Sequence, residues 1–384
     1  VAPTTADASN YCEGAARLQP GSGFFRPESR PARDFGVLLA RQLAASGPLR
    51  VLDAMAGCGI RALRYGLEAG ATEVWANDAD PERLPLLRNH LAALPATTRC
   101  RTTASTAQRL LAACLQRRRR FELLDLDAFG CPTALLPLAL EAVAIGGVLY
   151  VASSDGRSPT GHDRRAAVRR LGAAARAHPA SWELALRLQL GSVARAAWAL
   201  GRGIEPLLSF SEGRTFRTAV RLRRHPVARE EEQLGLLAHC HGCGEQQLQS
   251  LLRLRGWEAC GCQGAGLAIS GPLWIGPLQH PDTLAAMLAD AASLAAAGQD
   301  SLAPAGRRLL QRLAADDGLP ARCWPLAEIG RRLGQGPPPL QALLVALRAA
   351  GFRAQASGVM AGQVRCDAPW PQLLALAAAG SAAK

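Results

Sequence analysis

The sequence predicts an α/β fold: a doubly wound, Rossmann-like domain followed by a smaller α+β domain with a winged-helix-like end. Three observations carry this. From residue 36 to 222, short apolar runs alternate with amphipathic segments, the pattern of a mostly parallel sheet wrapped by helices with an antiparallel edge. A turn bearing Gly57 and Gly59 links the first strand-like run to a helix, and acids close successive runs at Asp53, Asp78 and Asp127. Composition then changes at Arg223-Arg224-His225-Pro226, which divides the chain into 1–224 and 225–384.

Residues 1–10 are small and polar and are expected to fray. Phe24 and Phe25 follow in a Gly/Pro-rich stretch, where two adjacent aromatics either cap the core or form a stacking platform for a base. A helix starts at Arg33-Asp34 and runs through Arg41. Val51 to Asp78 then reads strand, glycine turn, helix, strand, acid. Gly57 and Gly59 let the chain turn tightly and let a ligand approach the helix N-terminus, whose free N–H groups carry partial positive charge. Asp78, at the end of the second strand, can accept both hydroxyl hydrogens of a ribose. Gly57-x-Gly59-x-x-Ala62 also fits a dinucleotide fingerprint. Asp53 tilts the reading: before the glycines it would face a pyrophosphate but can complement a sulfonium, which points to S-adenosylmethionine. A purely structural turn remains the bland alternative.

Pro81 opens another helix ending near Asn89-His90, and a third strand is expected around Arg101 to Thr103, leading to Ser105-Thr106. The next helix ends in Arg117-Arg118-Arg119-Arg120, either a solvated end favoured by the helix dipole or a phosphate contact. Phe121 to Asp127 is a strand ending in acids, and Ala128-Phe129-Gly130 turns out of it. An acid and an aromatic at the carboxyl end of a central parallel strand lie beside the ligand crevice, so Asp127 is the candidate for chemistry. Alternatively Asp125 and Asp127 merely end the strand and cap the helix beginning near Thr133. Gly147 to Ala152 is a buried strand, Arg164–Arg176 and Glu183–Leu200 are helices, and Ile204–Ser209 with Thr215–Leu222 form an antiparallel pair around a Gly turn.

The second part holds Cys240-x-x-Cys243 and Cys260-x-Cys262, two tight turns that can each give two thiolates to a structural Zn²⁺, with His241 in reserve. Four cysteines would close the coordination shell and leave no position for catalysis; free or redox-paired thiols are the alternative. A Gly/Pro-rich turn, Gly271 to Pro277, and a helical tract from Pro281 to Ala315 follow. Within 318–369, Leu326–Leu333, Leu340–Ala350 and the strands Phe352–Ala356 and Gln363–Cys366 resemble a winged helix, with Arg331, Arg332, Arg348 and Arg365 available for phosphates.

With 384 residues, 49% of them hydrophobic, the chain can bury real cores, and no apolar run approaches a membrane span. No signal peptide is expected from VAPTTADASN, and eleven scattered cysteines read as reduced thiols, so the expected compartment is the cytoplasm. A net charge of +13, with Lys384 the only lysine, favours a polyanionic partner, since arginine forks bind phosphates and stack on bases. Base composition of the genome could explain arginine over lysine but not the excess of positive charge. Nothing points to an obligate protein partner.

Taken together these motifs resemble the tRNA (guanine-N2) dimethyltransferase family, from about Glu13 to about Pro369. They are Glu13-Gly14, Phe24-Phe25-Arg26-Pro27, Ala32-Arg33-Asp34, Asp53 through Gly59-Ile60-Arg61, Asn77-Asp78 and Asp125 through Gly130; later come Gly271 through Pro277, Ile329 through Leu333 and Asp367-Ala368-Pro369. The resemblance implies a class I S-adenosylmethionine-dependent methyltransferase acting on the exocyclic N2 of guanine 26 of tRNA, and in some members guanine 27. It implies that Arg33, Arg61 and Asp78 contact the cofactor, that Asp127 is catalytic, and that Phe24 and Phe129 flank the guanine. Ser105-Thr106 stand where relatives carry an Asp on the adenine side, Ala128 replaces a proline and Arg26 an asparagine. In the winged-helix-like part, Arg331, Arg332 and Arg365 are the candidate tRNA contacts. A tRNA-binding protein of the same fold with impaired catalysis is the competing class; an NAD-dependent oxidoreductase lacks an evident hydride-handling His or Tyr in the crevice motifs.

Overall fold

The computed structural model describes residues 10–21, 25–262, 266–299 and 302–382. A short hairpin of β1 (Tyr11–Glu13) and β2 (Ala16–Leu18) precedes α1 (Arg30–Ala44). Strands and helices then alternate: β3 (Arg50–Asp53), α2 (Ile60–Ala69), β4 (Glu73–Asp78), α3 (Leu84–Leu91), β5 (Arg99–Ala104), α4 (Ala107–Gln116), β6 (Phe121–Ala128), α5 (Leu136–Ala142) and β7 (Val143–Ser153). Helices α6 (Arg164–Leu171) and α7 (Ser181–Ala199) lead to a hairpin, β8 (Gly203–Glu212) and β9 (Thr215–Arg223).

These strands form one seven-stranded sheet in the order β5-β4-β3-β6-β7-β9-β8. The first five are parallel, and β9 runs antiparallel to both β7 and β8, as the alternation predicts. After β3 the chain moves outward to β4 and β5, then crosses back to lay β6 on the other side of β3. The carboxyl ends of β3 and β6 therefore bracket a switch-point crevice.

The second part begins with a three-stranded antiparallel sheet, β11-β10-β12, made from β10 (Leu234–Cys240), β11 (Gln246–Ser250) and β12 (Leu267–Trp274). Helices α8 (Pro281–Ala296) and α9 (Pro304–Ala314) return to the first sheet. Their Leu284, Met287 and Leu310 share one buried cluster with Phe35 and Leu38 of α1 and Leu63 of α2. On the opposite face, Leu111, Leu140, Leu186 and Val193 form a second core with Leu124 and Leu126 of β6. The chain ends with β13 (Cys323–Pro325), α10 (Leu326–Leu333), α11 (Leu340–Ala349), β14 (Ala354–Ala356), β15 (Gln363–Cys366) and α12 (Trp370–Ala382). The strand order β13-β15-β14 with two helices before the β-pair is a winged-helix arrangement.

Several local expectations change. The first long helix starts at Arg30, with Pro31 in its first turn where a missing N–H does no harm. The segment read as helix to Arg176 stops at Leu171, because Gly172 takes φ +57° and ends it. The turn read at 271–277 is strand as far as Trp274, paired to β10. The helical tract 281–315 consists of two helices, α8 and α9. Among the described residues no helix is long and apolar enough to cross a membrane.

Candidate active site

The carboxyl ends of β3, β4 and β6 open onto a cleft of about 440 Å³. Its walls are Phe25, Arg33, Gly57, Arg61, Asp78, Asp127, Ala128 and Phe129, with Arg214 and Arg217 from the β8–β9 hairpin. Gly57 has φ +56°, and a Cβ added there would meet nothing within 4 Å, so the turn needs glycine while its open side leaves room for a ligand. Gly59 has φ +81° and caps α2; a Cβ there would lie 2.8 Å from Leu87 Cδ2. Gly59 therefore serves packing and does not line the cleft. Asp78 is pinned at its strand end, accepting hydrogen bonds from the backbone N–H of Gly57 at 2.9 Å and of Asp80 at 3.0 Å. A strand-end carboxylate beside an open glycine turn and a helix N-terminus suits an adenosine-bearing ligand.

Asp127 faces this cleft between two arginines. Its Oδ1 pairs with Arg217 Nη2 at 2.7 Å and its Oδ2 with Arg61 Nη2 at 3.0 Å. Both arginines are buried, while 35% of the Asp127 side chain remains exposed. Behind it Asp125 is fully buried; it accepts a hydrogen bond from Tyr65 OH at 2.6 Å and lies 3.6 Å from Arg61 Nη1 and 3.7 Å from Arg217 Nη1. Burial pushes the Asp127 carboxyl up, but Arg217 and Arg61 outweigh it and hold the group down at about 2. Asp127 is thus a fixed anionic acceptor and only a weak base. Arg217 was not anticipated; its signal is an arginine within Phe216–Val220, five consecutive buried residues of β9.

Asp53 requires a correction. It lies fully buried under the cleft and does not form its wall. Its backbone pairs in register with Asp125. Burial and the neighbouring Asp125 push its pKa well up, against the anionic role beside a sulfonium that the sequence reading expected. Ser105 and Thr106 also lie outside the cleft wall: Ser105 N donates to Asp78 O at 2.9 Å, and Thr106 caps α4. Phe24 lies outside the described residues. Its neighbour Phe25 lines the cleft, edge-on to Tyr11 at 4.8 Å, and Phe129 stands at the lip, 74% exposed. Arg33 grips Glu13 with two hydrogen bonds of 2.7 and 2.6 Å and donates to the carbonyls of Arg26 and Pro27, so it also fixes the loop that carries Phe25.

The four cysteines converge. Cys240 Sγ lies 3.2 Å from Cys262 Sγ and 3.3 Å from Cys260 Sγ, and the four sulfurs, Cys243 included, fall within 4.8 Å of one another. This donor set could hold a zinc ion as a closed structural site, despite the C-x-C spacing of the second pair. The winged helix braces the first turn: Trp370 Nε1 donates to Cys243 O and Trp324 Nε1 to Gly244 O, each at 2.8 Å.

That bracing changes the reading of the expected tRNA contacts. Arg332 donates to the carbonyls of His241 and Gly242 and to Glu328, so it serves the cysteine turn. Arg365 is fully buried against Glu183 of α7 and Asp316 and cannot reach a phosphate; the sequence pattern shows its charge but not its burial. Arg331 remains 62% exposed beside Glu328.

The N2,N2-dimethylguanosine tRNA methyltransferase (TRM) family model matches residues 15–377. A tRNA (guanine(26)-N(2))-dimethyltransferase of Methanoregula boonei is 30% identical, over 94% of this chain and 92% of its own. The enzyme of that description from Thermococcus kodakarensis is also 30% identical, over 93% of each chain. Among solved structures, the complex of Trm1 from Pyrococcus horikoshii with S-adenosyl-L-methionine superposes with a TM-score of 0.80 at 26% identity, covering 96% of this chain and 99% of that one.

Proposed function

The chain belongs to the N2,N2-dimethylguanosine tRNA methyltransferase family, and from that premise we propose residue roles for its reaction. The protein is an S-adenosylmethionine-dependent tRNA (guanine-N2)-methyltransferase acting at guanine 26. The observation that carries the residue roles is the carboxylate of Asp127, clamped by Arg61 and Arg217 yet open to the cleft.

Gly57, Asp78, Arg33 and Arg61 would hold the cofactor, with Asp78 taking the ribose hydroxyls. S-adenosylmethionine, when bound, supplies a methyl made electrophilic by its sulfonium. The exocyclic amine of guanine is a poor nucleophile because its lone pair is delocalised into the ring. Positioning therefore has to provide much of the acceleration, of the order of 7–11 kcal/mol for well-aligned reactants. Asp127 accepts a hydrogen bond from the amine and orients it. With its pKa at about 2, Asp127 does not deprotonate guanine in advance. It receives the proton once the nitrogen has gained a methyl and a positive charge, when a weak base suffices. Phe129 and Phe24 would stack on the extruded base, at about 1–3 kcal/mol for each aromatic.

Residues 1–224 form the catalytic part in this reading and 225–384 the tRNA-binding part, with the cysteine site at 238–265 and the winged-helix-like end at 318–369. Cysteines without disulfides fit a cytoplasmic location. The test is incubation with unmodified tRNA transcript and labelled methyl donor, followed by mass-spectrometric mapping of nucleosides. N2-methylated guanosine at position 26 is expected. Binding of tRNA without any methyl transfer would instead favour the catalytically impaired RNA-binding reading, and equilibrium dialysis with S-adenosylmethionine separates the two.

A further inference from the structure

The winged helix supplies few free cations, yet a strongly charged surface lies on the catalytic part beside the cleft. Helix α6 reads Arg164-Arg165-Ala166-Ala167-Val168-Arg169-Arg170-Leu171, four arginines and no acid in eight residues. Ala166, Ala167 and Leu171 are buried against the protein, while all four arginines face outward. Arg170 pairs with Asp155 at 2.9 Å. Asp163 caps the helix by accepting from Ala166 N, and among the described residues no salt bridge joins Arg164, Arg165 or Arg169 to an acid.

Local physics disfavours this arrangement. Arg164 and Arg165 occupy the first turn, where the helix dipole repels cations. Arg165 and Arg169 are like charges four apart, which destabilises an isolated helix. A polyanion lying along the helix would reverse the sign of both effects.

The helix is also tied to the lip of the cleft. Gly130, next to Phe129, donates its N–H to Ser154 Oγ at 2.7 Å, and its carbonyl accepts from Ser153 Oγ at 3.0 Å. Two residues on, Asp155 holds Arg170 of α6. Short links through Ser153, Ser154 and Asp155 thus join the residue beside Phe129 to the last turn of α6.

We infer that α6 is the surface that grips the tRNA backbone beside the target guanine, with Arg164, Arg165 and Arg169 paired to phosphates. The inference rests on the tRNA methyltransferase reading and adds to it where on the catalytic part the substrate is held. Each phosphate contact contributes roughly 0.7–0.9 to the slope of log affinity against log salt.

The test compares two charge-matched triple variants of the full chain, R164Q/R165Q/R169Q and R88Q/R99Q/R224Q. The second set removes exposed arginines that do not line the cleft. Affinity for an unmodified tRNA transcript is measured across a salt series, together with S-adenosylmethionine binding and turnover at saturating tRNA. The α6 triple is expected to bind tRNA about 10- to 100-fold more weakly, with the salt slope reduced by about two. Its S-adenosylmethionine binding and saturated turnover should stay within about threefold, and R164K/R165K/R169K should regain the slope. Equal losses in the two glutamine triples, or a lysine triple as weak as the α6 glutamine triple, would overturn the inference. If the unaltered protein binds tRNA but does not methylate it, the enzymatic reading fails, while the comparison of the triples still decides the surface.

Discussion

Two clusters of arginines and carboxylates lie inside this protein, and they differ in how completely they are satisfied. Around Arg365, every guanidinium nitrogen has a partner: Nε and Nη2 donate to Asp316, Nη1 and Nη2 to Glu183, and Nη1 also to Pro320 O. Arg187 beside it is bonded to Glu183 and to the carbonyls of Trp274, Gly276 and Gly318. Around Asp127, by contrast, Asp125 Oδ1, Arg61 Nη1 and Arg217 Nε and Nη1 are buried without a hydrogen-bond partner. Both clusters hold one acid at a pKa of about 2, Glu183 in the closed cluster and Asp127 in the open one. The closed cluster joins α7 to the winged helix; the open one keeps unused polarity beside a cleft. Here the cluster beside the cleft, and not the closed one, leaves buried hydrogen-bonding groups without a protein partner.

The comparison can be broken most severely at Asp127. Asp127→Ala should lower turnover by about 10²–10⁴ while tRNA and S-adenosylmethionine binding persist; retained turnover would remove the distinction. At the closed cluster, Glu183→Gln should instead destabilise the fold by about 3–5 kcal/mol in urea unfolding, because buried Arg187 loses its carboxylate partner and buried Arg365 one of its two. The fraction that stays folded should turn over normally. The pH dependence has a definite sign. Burial raises the Glu183 carboxyl, but Arg365 and Arg187 outweigh it, so its contribution to stability is complete above the unfolded pKa of about 4.3. That contribution fades as the pH falls toward the folded value of about 2, and Glu183→Gln should flatten this part of the stability curve.

A smaller effect is expected from Arg217→Met, which leaves Asp127 with one arginine. Turnover should fall by about tenfold, and the carboxylate should titrate at higher pH than in the unaltered protein. The smallest effect belongs to Asp53→Asn. Because burial and Asp125 raise its pKa in the fold, the folded chain binds the proton more tightly than the unfolded one, and stability falls as pH rises above the unfolded value of about 3.9. The asparagine variant should be slightly more stable at neutral pH, by about 1 kcal/mol or less, as thermal unfolding at two pH values would show.

What the sequence made legible was local. Asp78 and Asp127 end strands, and the turn at Gly57 follows one, so their places are set by a few neighbouring residues and survive folding. The cysteine pairs were readable for that reason too, since the members of each stand two or three positions apart, the first pair in a hydrogen-bonded turn. Arg365 and Arg217 were not readable in this way. Arg365 meets Glu183 across 182 positions, and nothing in Gln363–Cys366 marks an arginine that is buried rather than exposed. Arg217 reaches Asp127 only because β9 enters the sheet beside β7. Asp53 failed differently: its position at the strand end was right, but the cross-strand neighbour Asp125, which favours its neutral form, is fixed by sheet register.

The most direct test of the central claim is the pH profile of kcat/KM for methyl transfer to tRNA, which reports groups in the free enzyme. Asp127 held at about 2 predicts no ascending limb from this carboxylate between about pH 5 and 8, together with a large uniform loss of rate in Asp127→Asn. An ascending limb near pH 6–7 that disappears in Asp127→Asn would mean a raised carboxyl acting as a true general base, and would contradict the account of a clamped, orienting anion.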